Sequence, residues 1–220
     1  MKIPLVIQRL SFVIVFCCMA GATIALLEGL EELTAPRAFL KTLPFFSKTS
    51  EPESHAPEAL FDGQTIQRTI LGLIDALTPG DGVYITTFIL TDETIYHALL
   101  TAHRKGVSIM LIADGEYAFK GKSKIPLLIK AGIPVYIYAQ PQVNPNDRPG
   151  IMHNKFIIFE SQERPIVVTG SYNLTQSAAN KNQENLVLID HPHTIKDFKE
   201  HFLKLQHASK RAIKTSGQRG

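Results

Sequence analysis

Beyond residue 18 the sequence contains no cysteine, and its only two, Cys17 and Cys18, lie side by side in an apolar stretch near the start. No disulfide and no thiolate zinc site can therefore form in the rest of the chain. Charge of one sign is also scarce. The 23 basic and 20 acidic residues leave a net charge of only +3, well short of the strong basic footprint usual in nucleic-acid binders. That charge is unevenly placed: residues 1–27 carry Lys2 and Arg9 and no acid, whereas residues 28–194 carry 14 basic and 18 acidic side chains. From residue 195 onward seven basic residues face only Asp197 and Glu200, a pattern that reads as a solvated helix face with a frayed basic end.

Charge is missing altogether from "LSFVIVFCCMAGATIALL", residues 10–27, which Lys2 and Arg9 precede and Glu28, Glu31 and Glu32 follow. Eighteen apolar residues are about the minimum for a membrane span. The same stretch also fits a signal peptide, with a basic start, an apolar middle and the small-residue trio Ala20-Gly21-Ala22. Phe16, bulky and just ahead of Cys17, argues against a lipoprotein signal. Cleaved signal and retained anchor both place the rest of the chain across the membrane, so the expected location is exported or membrane-anchored. Residues 28–60, with Pro36, Pro44, Pro52 and Pro57, read as a linker or lead-in.

The pattern tightens from residue 61, and a single domain over 61–210 with a basic tail at 211–220 is expected. Residues 64–78 have apolar side chains at helical spacing and stop at Pro79-Gly80. A strand over 83–90 comes next, then a helix over 93–105 capped by Thr91 or Asp92 and closed by Gly106. Strands are expected at 107–114, 133–139, 151–160, 166–171 and 185–190, with a short helix at 124–132 and a last helix from about Thr194. Strands alternating with helices predict an α/β fold, a mixed β-sheet flanked by helices. The unit carrying His153 is not repeated elsewhere in the sequence.

The chemistry concentrates in "IMHNKFIIFE", residues 151–160, and in "VVTGSYNLTQSAANKNQENLVLI", residues 167–189. In the first, His153 and Lys155 share one face if the stretch is extended. Histidine can exchange a proton or attack phosphorus near neutral pH, and lysine supplies fixed positive charge for a phosphate. In the second, Gly170 and Ser171 stand where a strand ends, so a hydroxyl and backbone amides can approach a phosphate oxygen. Asn173 adds an amide donor, which completes a cradle for an oxyanion beside a nucleophile, and Glu184 is a further polar residue that could converge there.

This ordered set resembles the signature of the phospholipase D superfamily: His-x-Lys, an acid five residues after the lysine, then Gly-Ser and a nearby Asn. Here these are His153, Lys155, Glu160, Gly170, Ser171 and Asn173. The likeness runs from about Phe61 to the last helix and is greatest to the short, single-motif branch, which includes Nuc-type endonucleases and mitochondrial phospholipase D-like proteins. It implies an α/β/α sandwich and a two-step reaction in which one His forms a phosphohistidine and a second His serves the leaving group. With a single motif per chain, the second His must come from another copy, so the resemblance implies a homodimer with one shared site. Glu184 would steady an imidazole, as the aspartate does in a serine-protease triad. The resemblance implies no metal and no cofactor.

The sequence departs from the family in two places. Glu160 stands where Asp is usual, and about 23 Å of extended chain separates it from His153, so a structural contact is the expected consequence. One residue rather than two separates Ser171 from Asn173, as in the short branch. Among the other polar residues, Lys120, Lys122 and Lys124 form a basic loop that could guide a polyanion substrate. Asp114 and Glu116 read as turn residues, and His191, His193, His201 and His207 have no Cys or acid cluster to complete a metal site. The substrate expected first is DNA or RNA. The alternatives are a membrane phospholipid, for which residues 10–27 would give access, and a silent phosphate-binding module.

Overall fold

A computed structural model describes residues 55–139 and 150–213. The apolar stretch 10–27 and most of the loop 140–150, with Arg148, lie outside the described residues. Within them, no helix is long and apolar enough to cross a membrane.

The chain runs β1 (Glu58–Leu60), α1 (Gly63–Asp75), β2 (Gly82–Thr87), α2 (Glu93–Arg104), β3 (Ser108–Asp114), α3 (Ile125–Lys130) and β4 (Val135–Tyr138). It continues with β5 (Phe156–Glu160), β6 (Ile166–Gly170), α4 (Gln176–Asn180), β7 (Leu186–Ile189), α5 (Pro192–His207) and β8 (Lys210–Arg211). All strands join one mixed sheet in the order β1-β7-β6-β5-β2-β3-β4-β8. Strands β2, β3 and β4 are parallel because helices cross between them; β5, β6 and β7 pair antiparallel.

Side-chain alternation on these strands makes two cores. Val83, Ile85, Leu111, Ile157, Phe159 and Val168 pack under α1, α2, α3 and α4. Ile112, Phe156, Ile158 and Val167 face the other way, against Ile195 and Phe202 of α5. The result is the expected mixed sheet between helical layers, with α5 as the principal cover on the second face.

Local signals explain the ends of the elements. Asp62 caps α1 through Thr65 N–H at 2.7 Å, and Asp92, rather than Thr91, caps α2 through Thr94 and Ile95. The buried Asp92 carboxylate also accepts from Gln67 and Gln176 and so ties α1, α2 and α4 together. Gly80 and Gly106, both at positive φ, turn the chain after α1 and α2. Three elements were not expected: β1, which falls inside the supposed lead-in, the five-residue helix α4, and the two-residue β8. The strand expected at 151–160 begins only at Phe156, so His153 and Lys155 stand on the loop that leads into β5.

Candidate active site

The register places the candidate residues at one end of the sheet. Thr86 pairs with Phe156, Phe156 with Thr169, and Gly170 with Leu186. The end of β2, the start of β5, the end of β6 and the start of β7 therefore lie side by side. Lys155 immediately precedes β5, Ser171 immediately follows β6, and Glu184 lies two residues before β7. Sequence positions 153–155 and 170–184 are joined here by strand pairing alone.

Hydrogen bonds hold each half in place. Thr86 Oγ1 accepts from Phe156 N–H at 3.0 Å, while Lys155 C=O accepts from Thr169 Oγ1 at 3.2 Å. Ser171 N–H donates to Asn185 C=O and Asn185 N–H donates to Ser171 Oγ, both at 3.1 Å. This reciprocal pair brings the Ser171 and Asn185 backbones so close that only glycine fits at 170. A Cβ there would lie 2.9 Å from the Asn185 carbonyl carbon and nearer still to its oxygen.

Ser171 Oγ donates to Glu184 Oε2 at 2.5 Å, and Asn182 Nδ2 donates to Glu184 Oε1 at 3.0 Å. Glu184 is only 9% exposed, and these two donors are its partners among the described residues. No hydrogen bond joins it to His153 among the described residues. Asn173 is half-buried, and its Oδ1 is buried without a donor among the described residues.

The imidazole of His153 is exposed and rests edge-on against the Phe88 ring, with centroids 4.7 Å apart. Lys155 Nζ donates to His153 C=O at 2.9 Å and sits 5.3 Å from the same ring centroid. Burial lowers the Lys155 pKa and the negative charge of Glu184 opposes that shift. The two halves of the motif thus share one electrostatic environment. Tyr172, next to Ser171, is buried and its hydroxyl has no partner among the described residues; burial, and then the charges of Asp92 and Glu184, raise its pKa far above the ordinary tyrosine value.

The basic loop is near the site but partly neutralised. Lys124 precedes α3, is ion-paired to Glu93, and has a side chain only 15% exposed. Lys120 pairs with Glu116 at 2.8 Å, and Lys122 is exposed. The same loop carries Phe119, 59% exposed, and Ile151 on the His153 loop is 46% exposed. Polar composition had hidden both.

Glu160 sits at the far end of β5 and pairs with Lys199 of α5 at 2.7 Å, which is the structural contact expected of it. The C-terminal histidines are engaged separately: His191 caps α5 and His193 pairs with Asp197. Sequence reasoning gave Asp114 a turn role only. Its Oδ1 does accept from Glu116 and Tyr117 N–H, but its Oδ2 accepts from Met152 N–H at 2.9 Å, next to His153. Phe88 was read as part of a strand, and no sequence signal marked it.

Residues 73–206 match the family model described as "Cardiolipin synthase, PLD-like domain". Over 219 residues the chain is 26% identical to a mitochondrial cardiolipin hydrolase of Danio rerio, covering 93% of this chain and 92% of that protein. It is 34% identical over 110 residues to a phospholipase D of Rickettsia prowazekii, in an alignment spanning 50% of this chain and 48% of that protein. Among solved structures, Nuc from Salmonella typhimurium, a phospholipase D family member, superposes with a TM-score of 0.58 at 24% identity, over 72% of this chain and all of that one. That last likeness is one of fold.

Proposed function

The chain belongs to the phospholipase D superfamily of phosphodiester hydrolases, and from that premise we propose that it works without a metal through a phosphohistidine on His153. The observation that carries this reading is the convergence, at one sheet end, of His153 and Lys155 with Ser171 and Glu184. A lone pair of the His153 imidazole attacks phosphorus, the bond from phosphorus to the leaving oxygen breaks, and that oxygen takes a proton from His153 of a second copy. Water then attacks phosphorus, the second imidazole takes the water's proton, and the nitrogen–phosphorus bond breaks. Lys155 and the Asn173 amide hold the non-bridging oxygens as charge builds on them, and Ser171 joins them by turning its one hydroxyl proton from Glu184 to the phosphate. Within one chain Glu184 is bonded to Ser171 and Asn182, so the imidazole it steadies is assigned to the second copy. A homodimer with a two-fold axis through the site supplies that arrangement.

For the substrate, nucleic acid remains the first reading, supported by Lys122 and by the exposed end of Lys120 beside the site. One observation favours the phospholipid reading. Phe119 and Ile151 expose large apolar side chains on the two segments that flank His153, as a lipid-facing rim requires. The likeness to a cardiolipin hydrolase and a phospholipase D points the same way. A membrane anchor in residues 10–27 would favour access to lipid, while export by the same segment suits a nuclease equally. The deciding experiment incubates the full chain, in EDTA, with single-stranded DNA and separately with cardiolipin vesicles. Cleavage of DNA alone supports the nuclease reading and cleavage of lipid alone the phospholipase reading. Cleavage of neither, in well-folded dimeric protein, returns the chain to a silent binding module.

A further inference from the structure

We infer that Phe88 and Asp114 are positioning residues for His153, one holding its ring and the other its backbone; this rests on the reading of His153 as the nucleophile. Strand β2 ends at Thr87, so Phe88 is the first residue to leave the sheet at the site end. It is half-buried and belongs to neither core cluster, so filling the interior does not explain it. Its ring meets three groups instead. The His153 imidazole lies edge-on at 4.7 Å, inclined by 68°, the Tyr117 ring lies at 4.5 Å, and the Lys155 ammonium lies 5.3 Å from its centre.

An aromatic face is electron-rich and attracts both a ring edge and a cation. When the imidazole attacks phosphorus its nitrogen gives up electron density, and the ring becomes more positive. An aromatic ring already in T-shaped contact with the imidazole fixes the ring's orientation before the change happens. The Lys155 ammonium on the same aromatic ring keeps charge and nucleophile at a fixed separation.

Asp114 secures the backbone. It is the last residue of β3 and is buried. A turn alone would need only its bonds to Glu116 and Tyr117 N–H, at 2.9 and 3.2 Å. The remaining oxygen reaches Met152 N–H, 38 positions along the chain, at 2.9 Å. One carboxylate therefore fixes the turn that delivers Tyr117 to Phe88 and the peptide adjoining His153. The two devices interlock through Tyr117.

The test compares Phe88→Leu, which keeps an apolar side chain but removes the π face, with Phe88→Tyr, which restores it. The assays are hydrolysis of a soluble aryl phosphodiester and the NMR signal of the His153 ring in the full chain. Phe88→Leu is expected to lower kcat by about ten- to a hundred-fold, as a misplaced reacting group does, with KM nearly unchanged. The His153 ring signal should move. Phe88→Tyr should restore both the rate and the signal. Asp114→Asn, isosteric but unable to accept equally at both positions, should lower kcat in the same way. An unmoved His153 signal with kcat within two-fold of wild type, or an equal loss in Phe88→Tyr, overturns the inference. The NMR reading needs no turnover. A wild-type protein inactive on every phosphodiester but showing the ring shift would thus sink the hydrolase reading and leave the mount standing.

Discussion

Replacing Gly170 by alanine should damage both the fold and the site, by an amount the local geometry sets. The added Cβ meets the Asn185 carbonyl at far less than van der Waals distance, and the obstacle is backbone, which cannot rotate away. Overpacking of that kind costs about 1–3 kcal/mol. Separating the two segments also stretches the paired bonds between Ser171 and Asn185, each contributing about 0.5–1.5 kcal/mol. A total of about 3 kcal/mol corresponds, for a domain of this size, to a melting temperature lower by roughly 6–12 °C. Because Ser171 Oγ is also the donor to Glu184, activity should fall further than stability accounts for, even well below the new melting temperature. Gly121→Ala is the matched control, since no atom lies within 4 Å of its added Cβ and only its positive φ resists; about 1–2 kcal/mol is expected there. Thermal melts and turnover at 20 °C measure both effects. A Gly170→Ala protein that melts with wild type and turns over normally would refute the close-approach account of the Ser171 loop.

Three further outcomes are expected from the site and its surroundings. Mixing wild-type chains with an excess of His153→Ala chains should suppress activity through hybrids carrying one imidazole, and unchanged activity after verified subunit exchange would remove the shared site. Glu184→Gln should lower the rate and shift its pH profile while phosphate binding changes little, because a neutral amide cannot steady an imidazolium; an unmoved profile would free Glu184 from that role. Asp190 is buried, which alone would raise its pKa, but bonds from Arg164 and His55 outweigh burial and hold it below 3.8. A carboxylate so depressed contributes stability that is complete above 3.8 and is lost as pH falls through its lower folded value. Asp190→Asn should therefore cost stability at neutral pH and flatten the acid limb of the stability curve, which urea melts from pH 2 to 7 would show.

What could be read in the sequence depended on how far each signal reaches. The helices and core strands announce themselves through periodicity and capping, and Asp92, Gly80 and Gly106 stand where those rules put them. The motif residues were legible because His153, Lys155, Ser171 and Glu184 are spaced by two short windows that strand pairing brings together. The edge strands β1 and β8 were not, since two or three residues carry no period and exist only through pairing with β7 and β4. Helix α4 is too short for a hydrophobic pattern, and Ala178 and Ala179 bury themselves by being small. Phe88 and the long bond of Asp114 are tertiary facts. A phenylalanine after a strand and an aspartate before a turn look the same whether or not a histidine lies beside them.

In the proposed mechanism His153 itself becomes covalently attached to phosphorus. Acid-free quenching of a single turnover by the full chain in EDTA, and then peptide mass spectrometry, looks for that bond. A substrate-derived phosphoryl adduct on His153 is expected, formed and lost at rates that match turnover and absent from His153→Ala. Catalysis that proceeds at full rate in well-folded His153→Ala protein would contradict it, as would catalysis that stops in EDTA and returns with a divalent metal.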